Sequence, residues 1–397
     1  MRKMFVLLGA LTSAGPLAID LYLPALPNLA ADLGVSASAA QLSLTAFMVG
    51  LGTGQIIVGP LSDAFGRRRP LLIGLAAFAV VSVALTVARD IEVLIALRLL
   101  QGLTAATGVA LTKAVVRDLY SGVEAARFFT MLMLVTGFVP LIAPVAGAQL
   151  LLVTTWPGLF ATMAALGALL WLTALVALPE THPKDARQAS TIRSVVRAMG
   201  TVARHRGFLS FTLTAGCASG AMFGYMAGSS FVLQEVYGLS PQGYSVMFGL
   251  NSLGMILGGQ TAGRLAGRVR MKVLLGIGLG VSATAGLTVL VGVVTGAGLP
   301  VIMPALFAVV AGQGMIYPMA LTLAMSSQPP HRAGSASALF GLVQWVAGGL
   351  TGPLSGAFGT GTALPLALII AVLGVAACVT AFLFTRGASD KQPVASV

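Results

Sequence analysis

Residues 59–72 read GPLSDAFGRRRPLL. One apolar run, Ala46 to Leu61, leads in, and a second, Pro70 to Val87, leads out. Between them lie one acid, Asp63, and three consecutive bases, Arg67, Arg68 and Arg69. Gly59 and Gly66 allow a tight turn or a close backbone approach. Two hydrophobic spans joined by about eight polar residues make an antiparallel pair of membrane helices, with the basic cluster at their cytoplasmic end. Charge alone accounts for a positive-inside loop. It does not require the order G-x-L-S-D-x-x-G-R-R-R.

The composition extends this reading to the whole chain. Of 397 residues, 57% are hydrophobic and 9% charged, and the mean hydropathy is +0.95. A soluble domain carries about 25% charged residues, so this is an integral membrane protein. A helical span needs about 20 apolar residues, which leaves room for about twelve. The alternating pattern of a membrane β-barrel is absent. Spans are expected at roughly 4–24, 41–61, 70–88, 92–112, 128–152 and 157–178, with an outer loop over 25–40. Six more are expected at roughly 207–233, 244–263, 273–295, 299–324, 335–357 and 362–385. The expected fold is an all-α membrane protein of twelve transmembrane helices in two six-helix bundles, roughly 1–178 and 207–385, with a short cytoplasmic tail over 386–397.

The longest polar stretch, PETHPKDARQASTIRSVVRAMGTVARHR, covers 179–206 and divides the chain near its middle. Ile192, Val195, Val196, Met199 and Val202 recur at helical spacing, with Arg193, Arg197 and Arg204 off that stripe. That predicts an amphipathic helix on the inner membrane surface. Residues 183–190 read equally well as a flexible linker. All of the 23 Lys and Arg except Arg89 and Arg98 fall in segments on one side of this layout. The asymmetry places both termini in the cytoplasm and explains the +12 net charge without nucleic acid. The expected location is the inner (plasma) membrane, and the expected state a monomer. A cysteine at Ser190 is therefore expected to resist impermeant reagents outside intact cells, and labelling there contradicts the topology. Arg2, Lys3 and the apolar run from Met4 resemble a signal peptide. Pro16, Asp20 and the Pro24/Pro27 pair follow without a clear cleavage site, so the run is read as helix 1. GRVRMKVLL, from Gly267 to Leu275, is a degraded echo of GRRRPLL and hints at a repeated half.

Two charges lie inside hydrophobic spans, Asp20 in helix 1 and Arg98 in helix 4. Facing lipid, each costs about 2.5–3.5 kcal/mol or more, so each is expected to face a cavity or a partner. Both lie toward the outer ends of their helices, at similar depth, where they can communicate across a cavity. Two plainer readings stand beside this one: snorkelling to the headgroups and a structural salt bridge. Gly15-Pro16 is expected to loosen helix 1 just before Asp20. Tyr22, Met48, Gln101, Phe138, Tyr225, Asn251, Gln313, Tyr317 and Gln344 are candidate cavity-lining residues, the amides because they need partners in hydrocarbon. Phe47, Met133, Phe223 and Trp345 also sit in spans expected to line the cavity, and for each of these residues a lipid-facing or helix-packing role is the plainer reading. Cys217 and Cys378 form no C-x-x-C, and His182, His205 and His331 form no ligand cluster, so no metal or cofactor is expected. No Walker A sequence occurs, which argues against ATP as the energy source.

Several motifs carry a family resemblance. The 59–72 stretch resembles the loop between helices 2 and 3 of major facilitator superfamily transporters. AIDLYLPALP, from Ala18 to Pro27, resembles the start of the Bcr/CflA drug-resistance transporters, which are proton-driven twelve-helix exporters. LRLLQG, Leu97 to Gly102, is similar to their helix 4 motif, whose intramembrane arginine corresponds to Arg98. GFVPLIAPVAG resembles the helix 5 antiporter motif, through Gly137, Pro140, Pro144 and Gly147, with Ala143-Pro144 in place of Gly-Pro. LPETHP, at 178–183, resembles the exit from helix 6. The first half matches well, and the second mainly in layout. The resemblance implies export of small apolar drugs, phenicol- or bicyclomycin-like, driven by protons. It also implies that Asp63 and the arginines tie the cytoplasmic helix ends together in one conformational state. Export of a native metabolite such as a sugar, amino acid or purine, facilitated uptake, and a membrane sensor or scaffold are the alternative readings.

Overall fold

The computed structural model describes residues 2–183, 185, 187, 192–329, 332–356 and 361–385. Most of the linker segment 184–191 and the tail beyond 385 lie outside the described residues. The described chain is almost wholly helical. Twelve helices are long: α1 (Arg2–Asp20), α3 (Ala37–Phe65), α4 (Arg68–Thr86), α5 (Ile91–Leu119), α6 (Gly122–Leu150), α7 (Trp156–Ala177), α9 (Arg206–Phe231), α10 (Pro241–Leu265), α11 (Met271–Val294), α12 (Leu299–Ser326), α13 (Ala333–Gly356) and α14 (Leu364–Thr385). Two are short: α2 (Leu26–Leu33) and α8 (Ile192–Ala203). Ten spans meet a length-and-apolarity requirement for crossing a membrane. The exceptions, α9 and α10, are rich in Gly, Ser and other small residues, and most of α9 is buried in protein. Little of that helix needs to be lipid-compatible.

The expected loop over 25–40 is largely helical. Pro24 and Pro27 read as loop formers, yet each stands in the first turn of a helical segment, where its missing N–H costs nothing. Gly34, at φ 63°, ends α2 in the left-handed conformation. The Ser36 hydroxyl then caps α3 by accepting from Ala39 N, 3.2 Å. At the other end, the expected loop after helix 4 is also helix. Lys113, Arg117 and Asp118 ride on α5.

Helices α1 to α7 pack mainly among themselves, as do α9 to α14. The tightest crossing in the first group is α3 on α5. A Cβ on Gly50 would strike the Leu99 carbonyl, and one on Gly102 the Phe47 carbonyl. The second group repeats this device between α10 and α12. A Cβ on Gly258 would strike the Ala311 carbonyl, and one on Gly314 the Met255 carbonyl. Small residues at such crossings let helices approach in a solvent that supplies no hydrophobic drive. The correspondence extends to side chains. Gln101, beside Gly102, donates to Ser82 Oγ (2.8 Å), and Gln313, beside Gly314, donates to Ser282 Oγ (3.5 Å). Three residues before Gln101 stands Arg98; three before Gln313 stands Val310. The two groups share one scaffold, and the first alone carries a buried base on it.

α8 shows the expected amphipathic pattern, with a different partner. Met199 and Val202 are buried, and Arg193, Arg197 and Arg204 are exposed. The apolar stripe packs on the ends of α13, α3 and α9 rather than lying free for lipid, although Val196 stays 55% exposed.

Candidate functional site

A cavity of about 860 Å³ lies between the two groups of helices. Its lining runs from Pro16, Ile19 and Asp20 to Asp63, Arg67 and Arg117 on one side, and from Phe248 to Gly334 and Ser335 on the other. It therefore reaches the end of the molecule that carries Arg67–Arg69, called here the basic end.

The opposite end is closed by hydrogen bonds between the two groups. Their acceptors are mostly backbone carbonyls, and two of these are set free by proline. Pro144 has no N–H to return to Pro140 O, four residues back. Ser252 Oγ of α10 takes that carbonyl, 3.3 Å. Pro353 likewise frees Gly349 O, which Thr45 Oγ1 of α3 takes at 2.5 Å. Ser38 Oγ donates to Pro353 O (2.9 Å), Gln41 Nε2 to Ala227 O (3.3 Å), Ser230 Oγ to Leu23 O (2.6 Å) and Gln242 Nε2 to Ala148 O (2.9 Å). Gly356 lies so close to α3 that a Cβ there would be 2.6 Å from Ser38 N. A hydrogen bond between membrane helices contributes about 0.6 kcal/mol on average. The pair Thr45→Val and Ser252→Ala is thus expected to favour opening of this end roughly sevenfold. With Cys217 and Cys378 replaced, faster labelling of a cysteine at Met48 from that side checks it. Unchanged labelling overturns it.

Asp20 ends α1 and borders the cavity, only 2% exposed, with Oδ1 lacking a hydrogen-bond partner. Gly147 of α6 lets that helix pass close by, since a Cβ there would meet the Leu21 carbonyl. Arg98 is fully buried and is not among the cavity-lining residues. Its Nη1 donates to Gln101 Oε1 (2.6 Å) and Ala18 O (3.3 Å). The Ala18 carbonyl is free because α1 ends there: Tyr22 N turns to Ile19 O instead. A cation at a helix C-terminus is also favoured by the backbone dipoles. The guanidinium lies 4.4 Å from the ring centre of Phe47, 4.9 Å from that of Tyr22 and 5.7 Å from that of Phe160. Neither charge snorkels to the headgroups. They form no ion pair with each other; their link runs through the last turn of α1, not across the cavity.

The other candidates separate into those on the cavity and those behind it. Gln313, Tyr317 and Gln344 line it, with Phe223 and Trp345. Tyr22 and Gln101 belong to the Arg98 cluster; Tyr22 Oη meets Ser43 Oγ at 3.1 Å. Phe47 faces Arg98. Tyr225 and Asn251 pair with each other at 2.8 Å, buried. Met48 borders a small pocket at the closed end. Phe138 and Met133 are 47% and 67% exposed and lie off the cavity. Gly137 has open space around it, and Pro140 lines the cavity.

At the basic end the quoted loop folds around Arg67. It donates from Nη1 to Asp63 Oδ1 (2.5 Å) and Ser62 Oγ (2.7 Å), and from Nε to Asp118 Oδ2 (2.9 Å). Gly66, at φ 87°, makes the turn before it. Glu180 Oε1 accepts from Arg67 N (2.8 Å), and Oε2 from Arg68 N (3.3 Å), at the start of α4. Burial pushes the Glu180 carboxyl up, but N–H donation from His182, Arg67 and Arg68, with Arg187 nearby, outweighs it and holds the group below the ordinary carboxylate value. Arg68 reaches Leu175 O at 2.7 Å. Gly59 has no close neighbour to exclude a side chain. The sequence gives Ser62, Asp118 and Glu180 no role of their own, although Ser62 sits inside the quoted GPLSDAFGRRRPLL and Glu180 inside LPETHP.

The sequence profile of the Major Facilitator Superfamily matches residues 7–353. The chain is 41% identical over 382 residues to the uncharacterized MFS-type transporter YdgK of Bacillus subtilis strain 168, covering 96% of this chain and 94% of that one. It is 27% identical to a bicyclomycin resistance protein homolog of Haemophilus influenzae, covering 90% of each. Among solved structures, a mutant of the nucleoside transporter NupG superposes with a TM-score of 0.77 at 14% identity, covering 96% of this chain and 98% of that one. That likeness shows the fold alone.

Proposed function

Because the chain belongs to the major facilitator superfamily, we propose that it exports small apolar drugs of the phenicol or bicyclomycin kind by proton antiport. It is a multi-pass membrane transporter of small molecules, not an enzyme, and relatives are drug-resistance proteins. The observation that carries the finer reading is a buried, unpartnered carboxyl, Asp20, on an otherwise largely apolar inter-helix cavity. Charge asymmetry supports placing the basic end in the cytoplasm, so the cavity is open inward and the carbonyl-rich contacts close the outer side. On this reading, drug enters from the cytoplasm, the halves rock, and protons taken up from outside reset the cycle. No cofactor is needed beyond the proton gradient, and a single chain suffices.

Asp20 alternates between a charged and a neutral form as the cavity around it gains and loses water. When ionised it accepts a hydrogen bond from a drug hydroxyl; once protonated it no longer competes for that donor in the same way. Arg98 fixes the last turn of α1, and so the position of Asp20. Export of a native metabolite fits the same geometry. Proteoliposomes carrying the protein, with and without an imposed pH gradient, test the reading with a phenicol and with bicyclomycin. Uptake indifferent to the gradient overturns it.

The Arg67 cluster has a predicted role as well. Asp63 is 45% exposed at the side chain and, among the described residues, is bound only to Arg67 in this open state. When the basic end closes, its second oxygen is available to the N-terminus of a helix from the other half. Asp63→Asn is expected to slow transport severalfold while leaving insertion intact, because Arg67 keeps Asp118. Wild-type export by that variant, at matched membrane content, removes the switching role.

A further inference from the structure

Two cations line the cavity without an acid to answer them. Lys113 and Arg117 stand one turn apart on α5, on the face that also presents Val109 and Ala114 to the cavity. Like charges at that spacing repel. Asp63 and Asp118, the nearby acids, both hold Arg67. Among the described residues, no ion pair reaches Lys113 or Arg117. The facing wall from α12 and α13, including Tyr317, Leu321, Ser335 and Gly341, contains no acid.

Depth follows from packing. Thr112 Oγ1 donates to Leu8 O of α1, 3.4 Å, which sets Lys113 near that level. Seven residues further along α1, about 10.5 Å deeper, Gly15 is touched by both Val109 and Leu51, within 3.4–3.5 Å of where a Cβ would stand. Gly52, next to Leu51, lies against Trp345, 3.0 Å by the same measure. Trp345 is therefore near the level of Gly15, about 10 Å deeper than Lys113. It packs on Phe223 with ring centres 5.4 Å apart, and both border the cavity. Asp20, five residues beyond Gly15, lies about 7.5 Å deeper again. The cavity is thus graded along its axis: a carboxyl at the closed end, an aromatic wall in the middle and two unanswered cations toward the basic end.

We propose that the cavity takes aromatic carboxylates, with the ring against Phe223 and Trp345 and the acid on Lys113. This rests on the transport reading above and adds to it a substrate class, aromatic acids, beside the apolar drugs named there. Arg117, nearer the mouth, draws the anion in. Asp20 in its charged form turns the acid away from the closed end, which fixes the orientation. A charge-assisted hydrogen bond in a shielded site is stronger than a neutral one, so the acid outbinds an isosteric amide.

The test is equilibrium dialysis of the detergent-purified protein with 2-naphthoate and 2-naphthamide. Naphthoate is expected to bind at least about fivefold tighter. Lys113→Gln should bring the two to parity without weakening the amide, and Lys113→Arg should keep most of the preference. A folding defect would lower both probes together. Equal affinities in the wild type, binding of neither probe, or a preference that survives Lys113→Gln overturns the proposal. So does phosphatidylglycerol that copurifies with the wild type, is lost in Lys113→Gln and resists displacement by naphthoate, since the cations then serve a lipid headgroup. A clear acid preference in binding, with no gradient-driven uptake of either probe into vesicles, upholds this assignment and removes the export reading instead.

Discussion

Asp20→Asn is expected to abolish drug accumulation driven by a pH gradient. Asp20 is the one acid on the closed half of the cavity, and the other lining acid, Asp63, is held by Arg67. Asparagine keeps the size and a carbonyl acceptor but can neither take up nor release a proton. Asp20→Glu retains the chemistry with a longer reach and should keep part of the activity. Gly147 and the Leu21 carbonyl leave little room beside it, so the glutamate is not expected to match the wild type. The measurement is export in vesicles at several imposed gradients. Undiminished gradient dependence in Asp20→Asn removes this residue from coupling and leaves it a structural acid.

Arg98→Ala is expected to be the most damaging single change to the first half. It leaves Gln101 Oε1 and Ala18 O without their donor and opens a void among Phe47, Tyr22 and Phe160. Unmet buried acceptors and a large-to-small change each cost a few kcal/mol, so the loss is about 3 kcal/mol or more. Arg98→Lys separates stability from coupling. A compact ammonium can donate to the two acceptors that Nη1 meets but lacks the flat guanidinium face that lies among Phe47, Tyr22 and Phe160. It should recover much of the melting temperature in detergent but little of the transport. Wild-type stability and transport in Arg98→Ala contradict the assignment.

Much of the layout was legible, because membrane spans announce themselves as apolar runs with basic loops at one end. Asp20 and Arg98 were legible for the same reason: a charge inside such a run is conspicuous. Their relation was not. Sequence places both at similar depth, but it does not reveal that the α1 backbone stands between them and that Tyr22, Phe47 and Gln101 surround the arginine rather than the drug. Helix ends were misjudged where polarity mimics a loop. Pro24 and Pro27 start helical segments instead of ending one, and Lys113, Arg117 and Asp118 extend α5 because they face a wet cavity or a partner. The closed end was least legible of all. Its acceptors are mostly main-chain carbonyls, which every residue possesses. The available clue was arithmetic: Pro144 and Pro353 each release the oxygen four residues earlier.

The matched glycine crossings have a mechanical consequence. Where the backbone of one helix rests on a bare Cα of the next, as at Gly50 and Gly102, or Gly258 and Gly314, there is no side chain at the point of contact to repack. Each half behaves as a stiff beam. Compliance is left to the seam between the beams, where single hydroxyls grip main-chain oxygens. A wedge entering at one end of such an assembly cannot be absorbed locally. On the transport reading it would be passed, as through a rocker, to the far end, so that the two mouths would not gape together and the bilayer would be spared a leak.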